Sequence, residues 1–187
     1  LVQSLSKNDS FSEASQRLEI MLESYPVYYD LLLCDMSGNC KASANPKHNL
    51  ENINFRQKPW FQDAMKSKDG TEYSFQTVHY SPTIQDYTVT FSCKIHEDAD
   101  HTKPAIGIIS AVFKWREFVQ RIINETALNQ NEKKNTRVLI CDDNGQVLAD
   151  SKEKILTENI SFVGKAELFK KETGFTIQKI KDTFNII

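Results

Sequence analysis

The stretch NFRQKPWFQDAM, Asn54–Met65, places two cations, Arg56 and Lys58, just ahead of a proline and two aromatic residues, Trp60 and Phe61. Pro59 suits the first turn of a helix, where its missing N–H costs nothing. A helix start also presents free N–H groups and a partial positive charge. A cation beside an indole at such a start suits a small ligand with a carboxylate. The cation and amides take the anion, and the ring walls off water. The plainer reading of the same residues is a core Trp60 with solvated cations beside it. A second cluster, HEDADH at His96–His101, brings together side chains that could hold a divalent metal. Short His-containing tracts more often mark a solvated hairpin tip, so no metal is expected. No G-x-S-x-G, P-loop, H-E-x-x-H or G-x-G-x-x-G pattern occurs. Cys93 or Cys141 as a nucleophile would need a base nearby, and nothing in the sequence arranges one. The chain reads as a non-enzyme without a cofactor.

The totals agree with a binding role. The chain has 187 residues, 40% of them hydrophobic and 26% charged, with a formal net charge of -2. That is globular composition. There is no basic stripe, so nucleic acid is not an expected partner. No apolar run is long enough to span a bilayer. The chain opens on Leu1 without a leader-like segment, so any membrane anchor is expected outside this chain. The four cysteines, Cys34, Cys40, Cys93 and Cys141, lack C-x-x-C spacing. Cys34 and Cys40 flank a short turn and could face each other across a hairpin; all four also read as buried thiols on strands.

The elements that must position these residues follow from periodicity. Ser10 with Glu13 forms a capping box, and Phe11, Ala14, Leu18, Met21, Leu22 and Tyr25 then recur at helical spacing up to Pro26. YYDLLLCD reads as a strand, MSGN as a turn and CKASA as a return strand. Pro59 opens a short helix that Gly70 closes. Tyr73–Tyr80 reads as a strand. DYTVTFSCKI alternates strictly, with Thr88, Thr90 and Ser92 on one face and Tyr87, Val89, Phe91 and Cys93 on the other. AIGIISAVF reads as a central strand buried on both faces. Trp115, Phe118, Val119, Ile122, Ile123 and Ala127 mark another helix. VLICDDNGQVLAD, at Val138–Asp150, then repeats LLLCDMSGNCKAS, at Leu31–Ser43, at a constant offset. TGFTIQKI and TFNII read as two more strands. Two copies of one small α+β unit, the second shorter, account for this order.

Three stretches resemble the double Cache, PAS-like sensor domains of bacterial chemoreceptors and sensor kinases. They are the strand–D-x-x-G–strand hairpin, FRQKPWFQDA and IGIISAVFKWREF. The resemblance covers most of the chain. It implies an α+β fold of two tandem PAS-like units with antiparallel sheets, joined by a helix, with an N-terminal helix packed alongside. Residues 1–114 would form the membrane-distal, ligand-binding unit and 115–187 a smaller proximal one. It implies an extracytoplasmic, periplasmic sensor of a transmembrane signalling protein: a chemoreceptor, histidine kinase or diguanylate cyclase. Amino-acid-sensing members carry an arginine two before the tryptophan for the ligand carboxylate, and an aspartate at the end of the last strand for its ammonium. Here Trp60 matches, Lys58 stands at the arginine position, Val112 at the aspartate position and Ile53 where tyrosine is common. The resemblance thus implies a small carboxylate or other non-amine ligand.

The expected ligand-binding residues are Arg56, Lys58, Trp60, Phe61, Tyr73, Phe75 and Thr90. Trp60, Tyr73 and Phe75 are expected as walls and Lys58 as the anion contact. A homodimer through the N-terminal helix is the expected assembly. The competing reading is a ligand-free structural or dimerisation module of the same kind of receptor.

Overall fold

The structure, a computed structural model, describes residues 10–67 and 72–160 and the strands 177–180 and 183–186. It divides into two compact units between Phe118 and Val119.

In the first unit, helix α1 (Phe11–Ser24) begins at the capping box, with Ser10 and Glu13 bonded reciprocally. Strands β1 (Tyr28–Asp35) and β2 (Cys40–Ser43) form the first hairpin. Helix α2 (Pro59–Lys66) has Pro59 in its first turn and Lys58 as N-cap. Gly70, expected to close that segment, lies outside the described residues. Strands β3 (Tyr73–Ser81), β4 (Asp86–His96) and β5 (Ala105–Lys114) complete an antiparallel five-stranded sheet of order β2-β1-β5-β4-β3.

The sheet is covered on both faces, by different helices. Leu31, Leu33, Ala42 and Ala44 pack with Ala14 and Leu18 of α1. Leu32, Cys34, Cys40 and Ile108 pack with Phe55 and with Trp60, Phe61 and Ala64 of α2. β1 therefore runs buried without a break from Asp30 to Cys34. β5 does hold the middle of the sheet, but most of its residues are only half-buried.

β4 buries its whole hydroxyl face, Thr88, Thr90 and Ser92, while on the opposite face Val89 is buried and Tyr87, Phe91 and Cys93 are half-buried. The reason is α2. Ser92 Oγ donates to the Trp60 carbonyl at 2.9 Å, and Lys94 Nζ donates to the Ser67 carbonyl. Bonding to carbonyls of the helix and its C-cap satisfies part of this buried polar face.

Helix α3 (Trp115–Glu125) spans the division between the units. In the second unit, helix α4 (Gln130–Asn135) is followed by β6 (Leu139–Cys141) and β7 (Val147–Asp150), which form a sheet of their own. Strands β8 (Ile177–Ile180) and β9 (Thr183–Ile186) pair with each other.

The repeated sequence produces one repeated geometry. Asp35 Oδ1 accepts from the amides of Ser37 and Asn39, both at 2.9 Å; Asp142 Oδ1 accepts from those of Asn144 and Gln146 at 2.9 and 2.8 Å. Gly38 and Gly145 both take positive φ, +89° and +87°. The carbonyl of each glycine accepts a 2.7 Å bond from a returning segment, from Phe55 N in one case and Ile160 N in the other. At Gly38 that segment comes very close. A Cβ there would lie 2.6 Å from Arg56 N and 2.8 Å from its Cα. Gly38→Ala combines this backbone collision with a φ that side chains disfavour. It should lower unfolding free energy in a urea melt by roughly 1–3 kcal/mol, and a variant as stable as the parent contradicts the close approach.

Candidate functional site

Alternation along the sheet puts Gln76, Thr90, Val112 and Asp30 in one row. Gln76 pairs with Thr90 across β3–β4, Thr90 with Val112 across β4–β5, and Val112 with Asp30 across β5–β1. All four line a cavity of about 430 Å³ in the first unit. Its far wall is the returning segment and the start of α2, with His48, Leu50, Ile53, Phe55, Lys58 and Trp60. The β3–β4 turn, Ser81 to Ile84, closes one side. Both the volume and the mix of apolar walls with a few polar groups are usual for a small-molecule site.

Lys58 stands exposed at the cavity and makes no ion pair among the described residues. The helix start contributes less than its sequence promises. Pro59 has no N–H, and the amides of Phe61 and Gln62 both donate to the Lys58 carbonyl at 3.1 Å. The positive charge available to an anion is therefore chiefly the Lys58 ammonium, a mobile point charge without the fork of an arginine.

Of the seven expected binding residues, Lys58, Trp60 and Thr90 come together in the cavity lining. Trp60 is 8% exposed and stacks on Phe55 with ring centroids 5.5 Å apart. Arg56 and Phe61 line a separate surface groove with Met36 and Met65, and Phe61 is itself a core residue. Tyr73 and Phe75 do not form walls. They lie on the opposite sheet face, 69% and 54% exposed, with their rings 6.1 and 5.2 Å from Phe91. A strand's two faces alternate, and α2 covers the face that carries the hydroxyls, so the aromatic face points away from the cavity.

The residues missed by sequence reasoning are Tyr29, Asp30 and His48. Asp30 is 2% exposed. Its carboxylate accepts from Ser43 Oγ at 2.9 Å and from the Asn45 amide at 3.0 Å, and lies 3.0 Å from His48 Nδ1. His48 Nε2 lies 3.0 Å from the Tyr29 hydroxyl. The absence of an acid at Val112 does not leave the cavity without a carboxylate, because Asp30 sits directly across β5–β1 from it. Asp30, set within the otherwise uncharged run before Asp35 in YYDLLLCD, was the available signal. Nothing in the sequence marked His48, which reaches Asp30 only because the loop after β2 folds back.

HEDADH is a hairpin tip. His96 Nδ1 lies 2.6 Å from the Lys103 carbonyl, Asp100 accepts from the Thr102 amide and hydroxyl, and Lys103 pairs with Asp98. No three His, Cys, Asp or Glu side chains gather as a metal set among the described residues.

Burial pushes the Asp30 carboxyl above its ordinary value, and the bonds from His48, Ser43 and Asn45 offset only part of that. The native chain then holds this proton more tightly than the unfolded chain. Asp30's contribution to stability must fall as pH rises from the ordinary carboxylate value, about 4, through the raised one. The parent's unfolding free energy minus that of Asp30→Asn, from urea melts across pH, should decline over that window. A difference that is flat or rises there contradicts the burial argument.

A search of curated proteins finds no match. Among solved structures, the chain resembles the isoleucine-bound sensory domain of the Campylobacter jejuni chemoreceptor Tlp3. The identity is 16% over 98% of this chain and 70% of that one, with a TM-score of 0.69. The GABA-bound ligand-binding domain of the Pseudomonas aeruginosa amino acid chemoreceptor PctC matches at 12% identity over 96% and 74%, with a TM-score of 0.65. The sensor domain of the Vibrio cholerae histidine kinase DctB matches at 16% over 90% and 59%, with a TM-score of 0.60. At such identities the likeness is one of fold. The sequence itself matches the Cache domain family over residues 1–186, and the chain belongs to that family.

Proposed function

We propose that this Cache domain is the extracytoplasmic ligand-sensing part of a transmembrane signalling protein, and that it binds a small carboxylate in the cavity of its first unit. The observation that carries this is the row Gln76–Thr90–Val112–Asp30 closed over by Trp60, with Lys58, unpaired among the described residues, beside it. An exposed lysine at the edge of a cavity, with no ion pair among the described residues, favours an anionic partner. The fold likeness to chemoreceptor and histidine kinase sensor domains supports the sensing role. The recurring D-x-x-G geometry supports reading the chain as two tandem PAS-like units, with the first as the membrane-distal, ligand-binding one. No described helix is long and apolar enough to cross a membrane; the membrane anchor of this reading is assigned to segments outside this chain. The N-terminal helix would pair two copies.

Lys58→Ala should weaken a carboxylate ligand by roughly 1.5–3 kcal/mol, toward the lower end because the ammonium is exposed. Isothermal titration with branched-chain carboxylates, whose apolar tails suit the wall of Leu32, Leu50, Ile53 and Trp60, reads this directly. Equal binding by Lys58→Ala and parent removes the carboxylate assignment. A parent that stays folded and binds none of them favours the structural, ligand-free reading.

A further inference from the structure

Asp30 and Ser43 in the first unit occupy the same places in the repeat as Arg137 and Asp150 in the second. There the pair is closed on itself. Arg137 donates to both oxygens of Asp150, at 3.0 and 2.7 Å, and to Glu158 at 2.8 Å. Burial would raise the Asp150 carboxyl, but Arg137 and the amides of Lys152 and Lys154 hold it below its ordinary value. In the first unit the acid has no arginine. It is matched by His48, whose other nitrogen meets a hydroxyl of the cavity wall.

We propose that Tyr29, held in place by the Asp30–His48 pair, is the cavity's second polar contact, and that the ligand is a carboxylate also carrying an uncharged oxygen: a hydroxy- or oxo-carboxylate. This rests on the reading that Lys58 holds a carboxylate. An ionised carboxylate only accepts, so His48 Nδ1 carries a proton toward Asp30. Nε2 then either accepts from Tyr29 or, in the imidazolium, donates to it. In the first state the phenol oxygen keeps lone pairs for a ligand hydroxyl. In the second its proton is free for a ligand carbonyl. Either way Tyr29 has hydrogen-bonding capacity to spare. An ammonium is poorly served, since Asp30 already accepts three donors and its side chain is 3% exposed behind His48. A second anion would face Asp30 itself. The other polar wall groups named here, Gln76 and Thr90, are uncharged, and both nitrogens of His79 are occupied, by the Thr77 carbonyl and Thr88 Oγ1.

The test uses four probes on one skeleton, differing only at carbon 2: 4-methyl-2-oxopentanoate, 2-hydroxy-4-methylpentanoate, 4-methylpentanoate and leucine. Isothermal titration should show the oxo or hydroxy acid binding about two- to tenfold tighter than the plain acid, the range for one neutral hydrogen bond, with leucine weakest. Tyr29→Phe should abolish that advantage and leave the plain acid's affinity unchanged, whereas Lys58→Ala should weaken all three acids together. Leucine binding more tightly than the acids, or an advantage that survives in Tyr29→Phe, overturns the inference while leaving the carboxylate reading in place. Failure of all three acids to bind the folded parent overturns both.

The first hairpin carries a second, independent inference. Cys34 and Cys40 are register partners, buried at 0% and 5% exposure, and both are thiols in this structure. Cys40 N donates to the Ile53 carbonyl and Asp35 N to the Asn39 carbonyl. That makes the pair non-hydrogen-bonded, the kind in which opposed side chains come closest and Cα atoms lie about 4.5 Å apart, within disulfide range. The equivalent place in the second hairpin holds Cys141 and Val147. We infer that Cys34 and Cys40 become a disulfide when the chain folds in an oxidising compartment. An external disulfide accepts two electrons, the two thiols release two protons, one S–S bond forms, and the acceptor leaves as a dithiol. The Cys40 thiol alongside, together with burial, pushes the Cys34 thiol well above its ordinary value. Exchange is therefore slow once the core has closed, and pairing belongs to folding.

Chain exported to the periplasm and chain made in the cytosol should be denatured and alkylated without reductant, then digested with trypsin. The exported chain should have two labelled cysteines, and its Leu18–Lys41 peptide, which holds both Cys34 and Cys40, should be lighter than the reduced peptide by two hydrogens. Cys34→Ser should give three labelled cysteines. Four labelled cysteines in the exported parent overturn the inference.

Discussion

The close approach of the Arg56 backbone to Gly38 is the constraint on which the site depends. A side chain at residue 38 would hold the returning segment off the turn. Without one, the Gly38 carbonyl captures Phe55 N, Cys40 N captures the Ile53 carbonyl, and Asn39 bridges to Asn54. Those contacts deliver Phe55 to the core and set where Pro59 can begin a helix. Lys58 and Trp60 stand over the sheet because the chain has already been pinned a few residues earlier. A two-residue turn chemistry, an Asx-turn acid and a glycine at positive φ, thereby fixes the position of groups some twenty residues away.

Burying the hydroxyl face of β4 is what gives the cavity its character. Were the aromatic face turned inward, α2 would pack on Phe91 and Cys93, and the space beneath it would be dry. Instead Ser92 meets the Trp60 carbonyl and Thr90 is left facing the cavity. The cost appears on the other face, where Tyr73 and Phe75 stay largely exposed and are stabilised mainly by ring contacts with Phe91. One buried hydroxyl among the described residues, Ser110 Oγ, has no partner. The helix satisfies Ser92 on the hydroxyl face, and His79 of β3 meets Thr88.

The two hairpins show how one local pattern supports two electrostatic arrangements. Both use the same acid–glycine turn and the same capture of a returning strand. They differ at the base, where the second closes an Arg137–Asp150–Glu158 network and the first sets Asp30 against His48. A guanidinium neutralises its acids permanently, whereas an imidazole leaves a titratable group beside a wall residue. The first unit therefore keeps chemistry in its cavity wall that the second spends on stability.

Periodicity and turn chemistry are local, and they were legible. The capping box at Ser10, the D-x-x-G turns, Pro59 at a helix start and the strands on either side follow from residue type and spacing alone. Lys58 and Trp60 were nominated from the run of cation, proline and indole together with the resemblance to Cache sensors, and Thr90 from the polar face of its alternating strand. Tertiary structure decided the register of β3 on β4, which sets Tyr73 beside Cys93 and Phe75 beside Phe91, on the face away from the hydroxyls. That single choice moved Tyr73 and Phe75 away from the cavity. Tertiary structure also brought in Asp30 and His48, eighteen residues apart and joined only by register and a folded-back loop. An acid missing from one strand and present on the next cannot be seen along a chain, because strands become neighbours only when the sheet forms.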